Sequence, residues 1–241
     1  MELKLFQKGF NYSQDGPGNR LIYHLIGCNL NCPWCSNPEG MDFTSEGFTL
    51  TVNEIVEEAL SCTPMFFDGG GVTFTGGEAT CQPKALQQAL IKLKQNGINT
   101  CIETNGTYKN LKELFPYIDH LIIDLKHPDE ATHKKLLGLS NNTIKENIQL
   151  ASQLHNDLLV RIPLIHGINT DDEIIDMFIN FFKSTNYNNF RIELLPYHEY
   201  GKDKWKKCGK TYTVKDANVS GKLRLHIEQK IKTNGLNIAR T

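Results

Sequence analysis

No stretch of this chain approaches the roughly 20 consecutive apolar residues that a bilayer-spanning helix needs. Residues Met1 to Phe10 lack the apolar core of a secretory signal, because Lys4 and Lys8 interrupt them. Both absences point to a cytoplasmic protein. Neither sign of charge is in excess: 26 Lys+Arg stand against 27 Asp+Glu, for a net −1. No strong field therefore recruits nucleic acid or an anionic membrane. Low-complexity tracts, long linkers and short solenoid-type repeats are also missing. What remains is 241 residues, 39% hydrophobic and 22% charged, an ordinary globular composition. Single-domain α/β barrels commonly reach this length.

Cysteine is where the chain departs from the ordinary. Of its seven, Cys28, Cys32 and Cys35 fall together, while Cys62, Cys81, Cys101 and Cys208 are isolated. In a reducing compartment a cluster of thiols reads as a metal or redox site, not a disulfide frame. The isolated four read as ordinary buried thiols.

Strand-like and helix-like patterns alternate along the chain. Leu21–Gly27, Val72–Thr75, Asn99–Ile102, His120–Asp124, Leu158–Ile165 and Phe190–Leu195 are short apolar runs rich in strand formers. Helical spacing predicts helices over Thr51–Cys62, Pro83–Asn96, Lys109–Phe115, Asp129–Leu137, Thr143–His155, Asp171–Lys183 and Asp216–Asn234. Repeated strand–helix order implies parallel strands joined by crossovers. About six such units are present, too few for a closed eight-unit barrel. The expected architecture is a partial (β/α)6 barrel.

Parallel α/β folds bind ligands beyond the carboxyl ends of their strands. Cys28 follows the first strand, Gly76, Gly77 and Glu78 the second, and Glu103, Thr104 and Asn105 the third. Asp124 and Lys126 follow the fourth, Arg161 lies in the fifth and His198 follows the sixth. All but Arg161 are expected on one rim.

The loop Gly27-Cys28-Asn29-Leu30-Asn31-Cys32-Pro33-Trp34-Cys35 has the pattern CxxxCxxC. Thiolates are the soft ligands favoured by iron–sulfur clusters and zinc. A structural zinc site takes four ligands, and a fourth could come from His24 or another cysteine. Three thiolates suit a four-iron cubane with one iron open to a substrate, because closed cubanes take four cysteines.

With Gly76-Gly77-Glu78 after the second strand, the chain resembles the radical S-adenosylmethionine (SAM) superfamily. It resembles in particular the activating enzymes of glycyl radical enzymes, among them the pyruvate formate-lyase type. The likeness spans nearly the whole chain. It includes Asp15-Gly16-Pro17-Gly18, Gly69–Thr73, Thr104-Asn105-Gly106, Asp124-Leu125-Lys126 and Glu193–Glu199 continuing to Gly201 and Trp205.

The resemblance implies a single radical SAM domain over residues 1–241, without a ferredoxin-like insert, since only Cys62 lies between Ser36 and Gly71. It implies that Cys28, Cys32 and Cys35 are catalytic as the ligands of a [4Fe–4S] cluster. SAM cleavage there yields a 5′-deoxyadenosyl radical, which takes a Cα hydrogen from a glycine of the partner enzyme. Gly76, Gly77 and Glu78 are expected at the methionine amino group, and Lys126 and Arg161 at its carboxylate. His198 is expected near the methionine or ribose, and Trp34 at the adenine. Asn37 and Thr104 are expected beside the cofactor. Glu103, Thr104 and Asp124 stand where a monovalent cation, Na+ or K+, binds in relatives; Glu103 replaces an Asp there. Asp15 is expected to touch the partner's glycine loop. The expected partners are a glycyl radical enzyme and a flavodoxin or ferredoxin-type electron donor, with the chain itself a monomer.

Two other readings differ in kind. A radical SAM enzyme acting on a small molecule, such as a deazapurine-forming synthase, shares the cysteine loop. It does not predict Asp15–Gly18 or Leu194–Glu199. A non-catalytic metal-binding module predicts bound zinc and no SAM cleavage.

Overall fold

The structure is a computed structural model and describes residues 1–185 and 189–239. The strands are β1 (Glu2–Tyr12), β2 (Asn19–Leu25), β3 (Phe48–Thr51), β4 (Gly71–Gly76), β5 (Thr100–Thr104), β6 (His120–Asp124), β7 (Leu158–Leu164) and β8 (Phe190–Pro196). The helices are α1 (Val52–Ser61), α2 (Pro83–Gln95), α3 (Glu130–Leu137), α4 (Asn142–Leu154), α5 (Asp172–Ser184), α6 (Lys202–Lys207) and α7 (Gly221–Thr233). The chain divides into two compact units. One comprises Met1–Asn29, Asn37–Thr104 and Tyr108–Ile122, the other Leu30–Ser36, Asn105–Thr107 and Ile123–Thr241.

In the first unit the strand order is β3-β1-β2-β4-β5-β6. β2, β4 and β5 run parallel, with Leu21 opposite Val72 and Val72 opposite Thr100. β1 pairs antiparallel with both β2 and β3. All of β4 but its last residue is buried, as befits a parallel strand covered on both faces. α1 starts at a capping box: Thr51 accepts from the Glu54 amide while Glu54 Oε2 accepts from the Thr51 amide at 2.7 Å. It packs on α2, burying Val52, Ile55, Val56 and Ala59 against a stripe of Ala85, Leu86, Ala89, Leu90 and Leu93.

In the second unit β7 and β8 run parallel, with Arg161 opposite Glu193. α5 buries Ile175, Phe178, Ile179 and Phe182 and packs on α7.

The six expected strands are all present, each within two residues of the expected ends. Three of these strands and helices lie outside the expectation: β1 and β3, which extend the sheet with antiparallel strands, and α6. The expected helix at Lys109–Phe115 is a 3-10 helix over Leu111–Tyr117 with Pro116 inside it. The last helix begins at Gly221 instead of Asp216, because Ser220 caps it and accepts from the Leu223 amide.

Candidate functional site

The first unit carries the start of the cysteine loop. β2 ends at Leu25, and Gly27 and Cys28 are then fastened to the segment after Asn37. The Gly27 amide donates to Gly40 C=O at 2.9 Å and the Cys28 amide to Met41 C=O at 3.0 Å. Asn37 stands just before the 3-10 turn Pro38–Gly40, and its carbonyl accepts from the Gly40 amide. From the other side, the Glu78 amide donates to Gly27 C=O at 2.8 Å. Gly77 is glycine because three main chains meet there: a Cβ would overlap the Gly40 carbonyl oxygen and press on Gly27.

Glu78 is 2% exposed, so its carboxylate must be satisfied within the protein. Oε1 accepts from the Thr80 amide at 2.9 Å, from the Thr80 hydroxyl, and from Thr104 Oγ1 at 2.7 Å. Thr104 thus donates to Glu78, while its strand neighbour Glu103 accepts from Thr75 Oγ1 at 2.8 Å. Successive strand residues face opposite sides of the sheet, so these two side chains diverge. Cys81, closing the 3-10 turn Ala79–Cys81, has its thiol pushed up to about 12 by burial and then by Glu78 and Cys28.

Asp15 accepts from Asn11 Nδ2 at 2.5 Å, in the connection between β1 and β2. Arg20, fully buried, holds that connection from beneath. Its Nε donates to Thr73 Oγ1 at 2.7 Å, its Nη1 to the Pro17 and Gly69 carbonyls and its Nη2 to the Val72 carbonyl. Arg20 belongs to none of the sequence motifs above. An arginine opening an otherwise apolar strand was the available signal.

The second unit carries the rest. Cys32 and Cys35 bracket a turn in which the Cys35 amide donates to Cys32 C=O at 3.1 Å. Trp34 within it is 8% exposed. The turn is held at both ends. The Asn31 amide donates to Leu137 C=O at 3.0 Å, and Trp205 Nε1 donates to Cys35 C=O at 2.8 Å. A Cβ on Gly201 would overlap the Cys35 carbonyl oxygen, so α6 starts directly against the loop. Asn105 follows β5, and its Oδ1 accepts from Thr107 Oγ1 at 2.6 Å.

Asp124 closes β6 and pairs with Lys126 at 2.5 Å. Arg161 lies mid-strand in β7, and its Nε donates to Glu193 Oε2 at 2.5 Å across the β7–β8 register. Both partners are buried, as a charge pair inside a protein must be well satisfied to persist. His198 follows β8 and stacks on Tyr200 with ring centroids 4.3 Å apart. Burial lowers its pKa, with its own backbone partly offsetting that shift.

Among the described residues none of the seven cysteines is in a disulfide. Among them, too, no three or more His, Cys, Asp or Glu side chains stand in a metal-holding array. The fit to a [4Fe–4S] cluster therefore rests on donor chemistry and on the fixed backbone. Three thiols, soft ligands for iron, leave a loop pinned at Gly27, Cys28, Asn31 and Cys35. No helix among the described residues is long and apolar enough to cross a membrane.

The family model of the radical SAM superfamily matches residues 22–178. A pyruvate formate-lyase-activating enzyme of Staphylococcus epidermidis is 36% identical over 211 residues, covering 84% of both chains. The crystal structure of a domain of pyruvate-formate lyase-activating enzyme from Bacteroides vulgatus superposes with a TM-score of 0.59 at 28% identity, over 71% of this chain and 98% of that one. A radical SAM methyltransferase from Sphaerobacter thermophilus shares the fold with a TM-score of 0.69 at 15% identity, over 95% of this chain and 67% of that one.

Proposed function

The chain belongs to the radical SAM superfamily, in the family of pyruvate formate-lyase-activating enzymes, and from that premise we propose that it activates a glycyl radical enzyme, either pyruvate formate-lyase or a close relative. Enzymes of this superfamily use a [4Fe–4S] cluster and SAM. When bound, the cluster supplies one electron and SAM the radical that removes a hydrogen from a glycine Cα of the partner.

This chain's residues hold and orient. Cys28, Cys32 and Cys35 are the cluster ligands in this reading, catalytic through the iron they bind. Gly76, Gly77 and Glu78 take the methionine ammonium, Lys126 and Arg161 its carboxylate, and His198, Trp34, Asn37 and Thr104 the rest of the cofactor. The observation that carries the reading is the bond from the Glu78 amide to Gly27 C=O. It fastens the acceptor of the ammonium to the residue before the first cluster cysteine. Three donors on Oε1 hold the Glu78 carboxyl group in one orientation. Glu193 steers Arg161 in the same way.

Glu103, Thr104 and Asp124 are proposed to bind a monovalent cation, Thr104 with its hydroxyl proton committed to Glu78. Asp15 is proposed to meet the partner's glycine loop, on a connection that Arg20 keeps in place. The whole chain is read as one radical SAM domain, a cytoplasmic monomer served by a flavodoxin or ferredoxin-type donor.

The deciding experiment mixes anaerobically prepared, reduced protein with SAM and pyruvate formate-lyase and records the electron paramagnetic resonance spectrum. A glycyl radical doublet dependent on SAM is expected. Zinc in place of iron, or an intact cluster with no SAM cleavage, would overturn the proposal.

A further inference from the structure

Charge is balanced over the whole chain but not along it. Lys202, Lys204, Lys206, Lys207, Lys210 and Lys215 lie between Gly201 and Lys215, and Asp203 is the one acidic residue among those fifteen. The rest of the chain is correspondingly acidic. The lysines sit on and just after α6, whose buried residue, Trp205, faces inward. Lys202, Lys206 and Lys207 are exposed. Lys202 spends part of its charge on Glu199 at 3.1 Å. Beside them Tyr200 is 81% exposed, a large aromatic offered to solvent.

Position gives this basic patch its meaning. Gly201 abuts Cys35 C=O, and Trp205 Nε1 bonds the same oxygen at 2.8 Å. Trp205 meets Tyr212 edge-on at 5.6 Å, and Tyr212 bonds Tyr197 through their hydroxyls at 2.8 Å. The helix that carries the patch is thus bonded directly to the third cysteine of the loop. Whatever docks on α6 is brought next to Cys35, the proposed cluster ligand.

We propose that the lysine face of α6, with Tyr200, is the docking surface for a small acidic one-electron carrier protein that reduces the cluster. The inference rests on the cluster assignment above and adds where the electron enters. Charge complementarity speeds encounter and sets orientation, and exposed tyrosine suits an interface core. One electron leaves the carrier, oxidising it by one, and the cluster is reduced by one; no bond in either protein breaks.

The test uses the holoenzyme and two reductants: dithionite, and a recombinant acidic flavodoxin in its hydroquinone form. Methionine release from SAM is timed for wild type, for Lys206→Glu/Lys207→Glu, and for Lys109→Glu/Lys112→Glu. The last makes the same net-charge change at exposed lysines elsewhere. Flavodoxin-driven cleavage is expected to fall about tenfold or more in the α6 variant only, and in wild type as salt rises. Dithionite-driven cleavage should be the same in all three proteins.

An α6 variant as fast as wild type with flavodoxin, or both variants slowed equally, overturns the inference. So does a wild type that cleaves SAM with dithionite but not with flavodoxin. An α6 variant that keeps flavodoxin-driven cleavage yet no longer makes the partner's glycyl radical would give the patch to that enzyme instead, and overturns it too. No cleavage by wild type with dithionite would overturn the proposed function itself, which separates the two failures.

Discussion

Arg20 donates its Nε–H to Thr73 Oγ1 at 2.7 Å, and Thr73 passes its own proton to the main-chain carbonyl of Asp15 at 2.7 Å. A buried guanidinium with main-chain carbonyls for partners thus ties the Asp15–Gly18 connection to β4. Burial lowers the pKa of Arg20, offset by Cys101, Asp119 and Asp15. Arg20→Leu should cost about 2–3 kcal/mol, because it strands buried carbonyls, and a urea titration would measure it. Arg20→Lys should leave dithionite-driven SAM cleavage unchanged and lower the yield of partner radical. Equal yield from that variant would refute the link between Arg20 and docking.

Cys28→Ala, Cys32→Ala and Cys35→Ala should each abolish iron–sulfur absorbance and SAM cleavage. Cys81→Ala should keep both. The Cys81 thiol, raised to about 12, is protonated at neutral pH and a poor ligand. Iron and sulfide analysis after anaerobic purification reads all four variants. Loss of the cluster from Cys81→Ala would show a fourth ligand and contradict an open iron.

The Arg161–Glu193 pair is enclosed, with 11% and 6% of the side chains exposed. Glu193→Ala removes a buried carboxylate bonded to the guanidinium and should destabilise the protein by about 3–5 kcal/mol. Substituting both residues with apolar ones of similar volume should recover much of that loss while SAM affinity stays poor. Denaturation midpoints give the first quantity and calorimetry with SAM the second.

His133 is fully buried, with Nδ1 2.6 Å from Leu139 C=O, and burial holds its pKa below the ordinary 6.5. His127 is lowered for the same reason. The unfolded chain therefore binds more protons than the folded one between the lowered values and 6.5. Stability should be at its plateau above that pH and decline as pH falls beneath it. His133→Gln should flatten the decline. Urea midpoints between pH 5 and 8 that are identical for the two proteins would refute the assignment.

The elements that the sequence reveals well are those with a clean period. The buried parallel strands and helices such as α5, with apolar residues at Ile175, Phe178, Ile179 and Phe182, are of this kind. β1 escapes because only Leu3 and Leu5 of its 11 residues are buried, and the remainder is half-buried or exposed. β3 is four residues long and runs straight into the cap of α1. α6 buries Trp205 among lysines and so shows no apolar stripe.

The site divides along the same line. The cysteines and Gly-Gly-Glu declare themselves by spacing. The partners that fix them do not: Thr104 reaches Glu78 across 26 positions and Glu193 reaches Arg161 across 32. Those pairs exist through strand register, a property of the folded sheet.

The bond from Trp205 to Cys35 spans 170 residues. On the ribosome the cysteine turn is made long before Trp205, so this fastening of Cys35 waits on a residue synthesised much later. The hold on Cys35 is a product of the folded chain, not of its immediate neighbours.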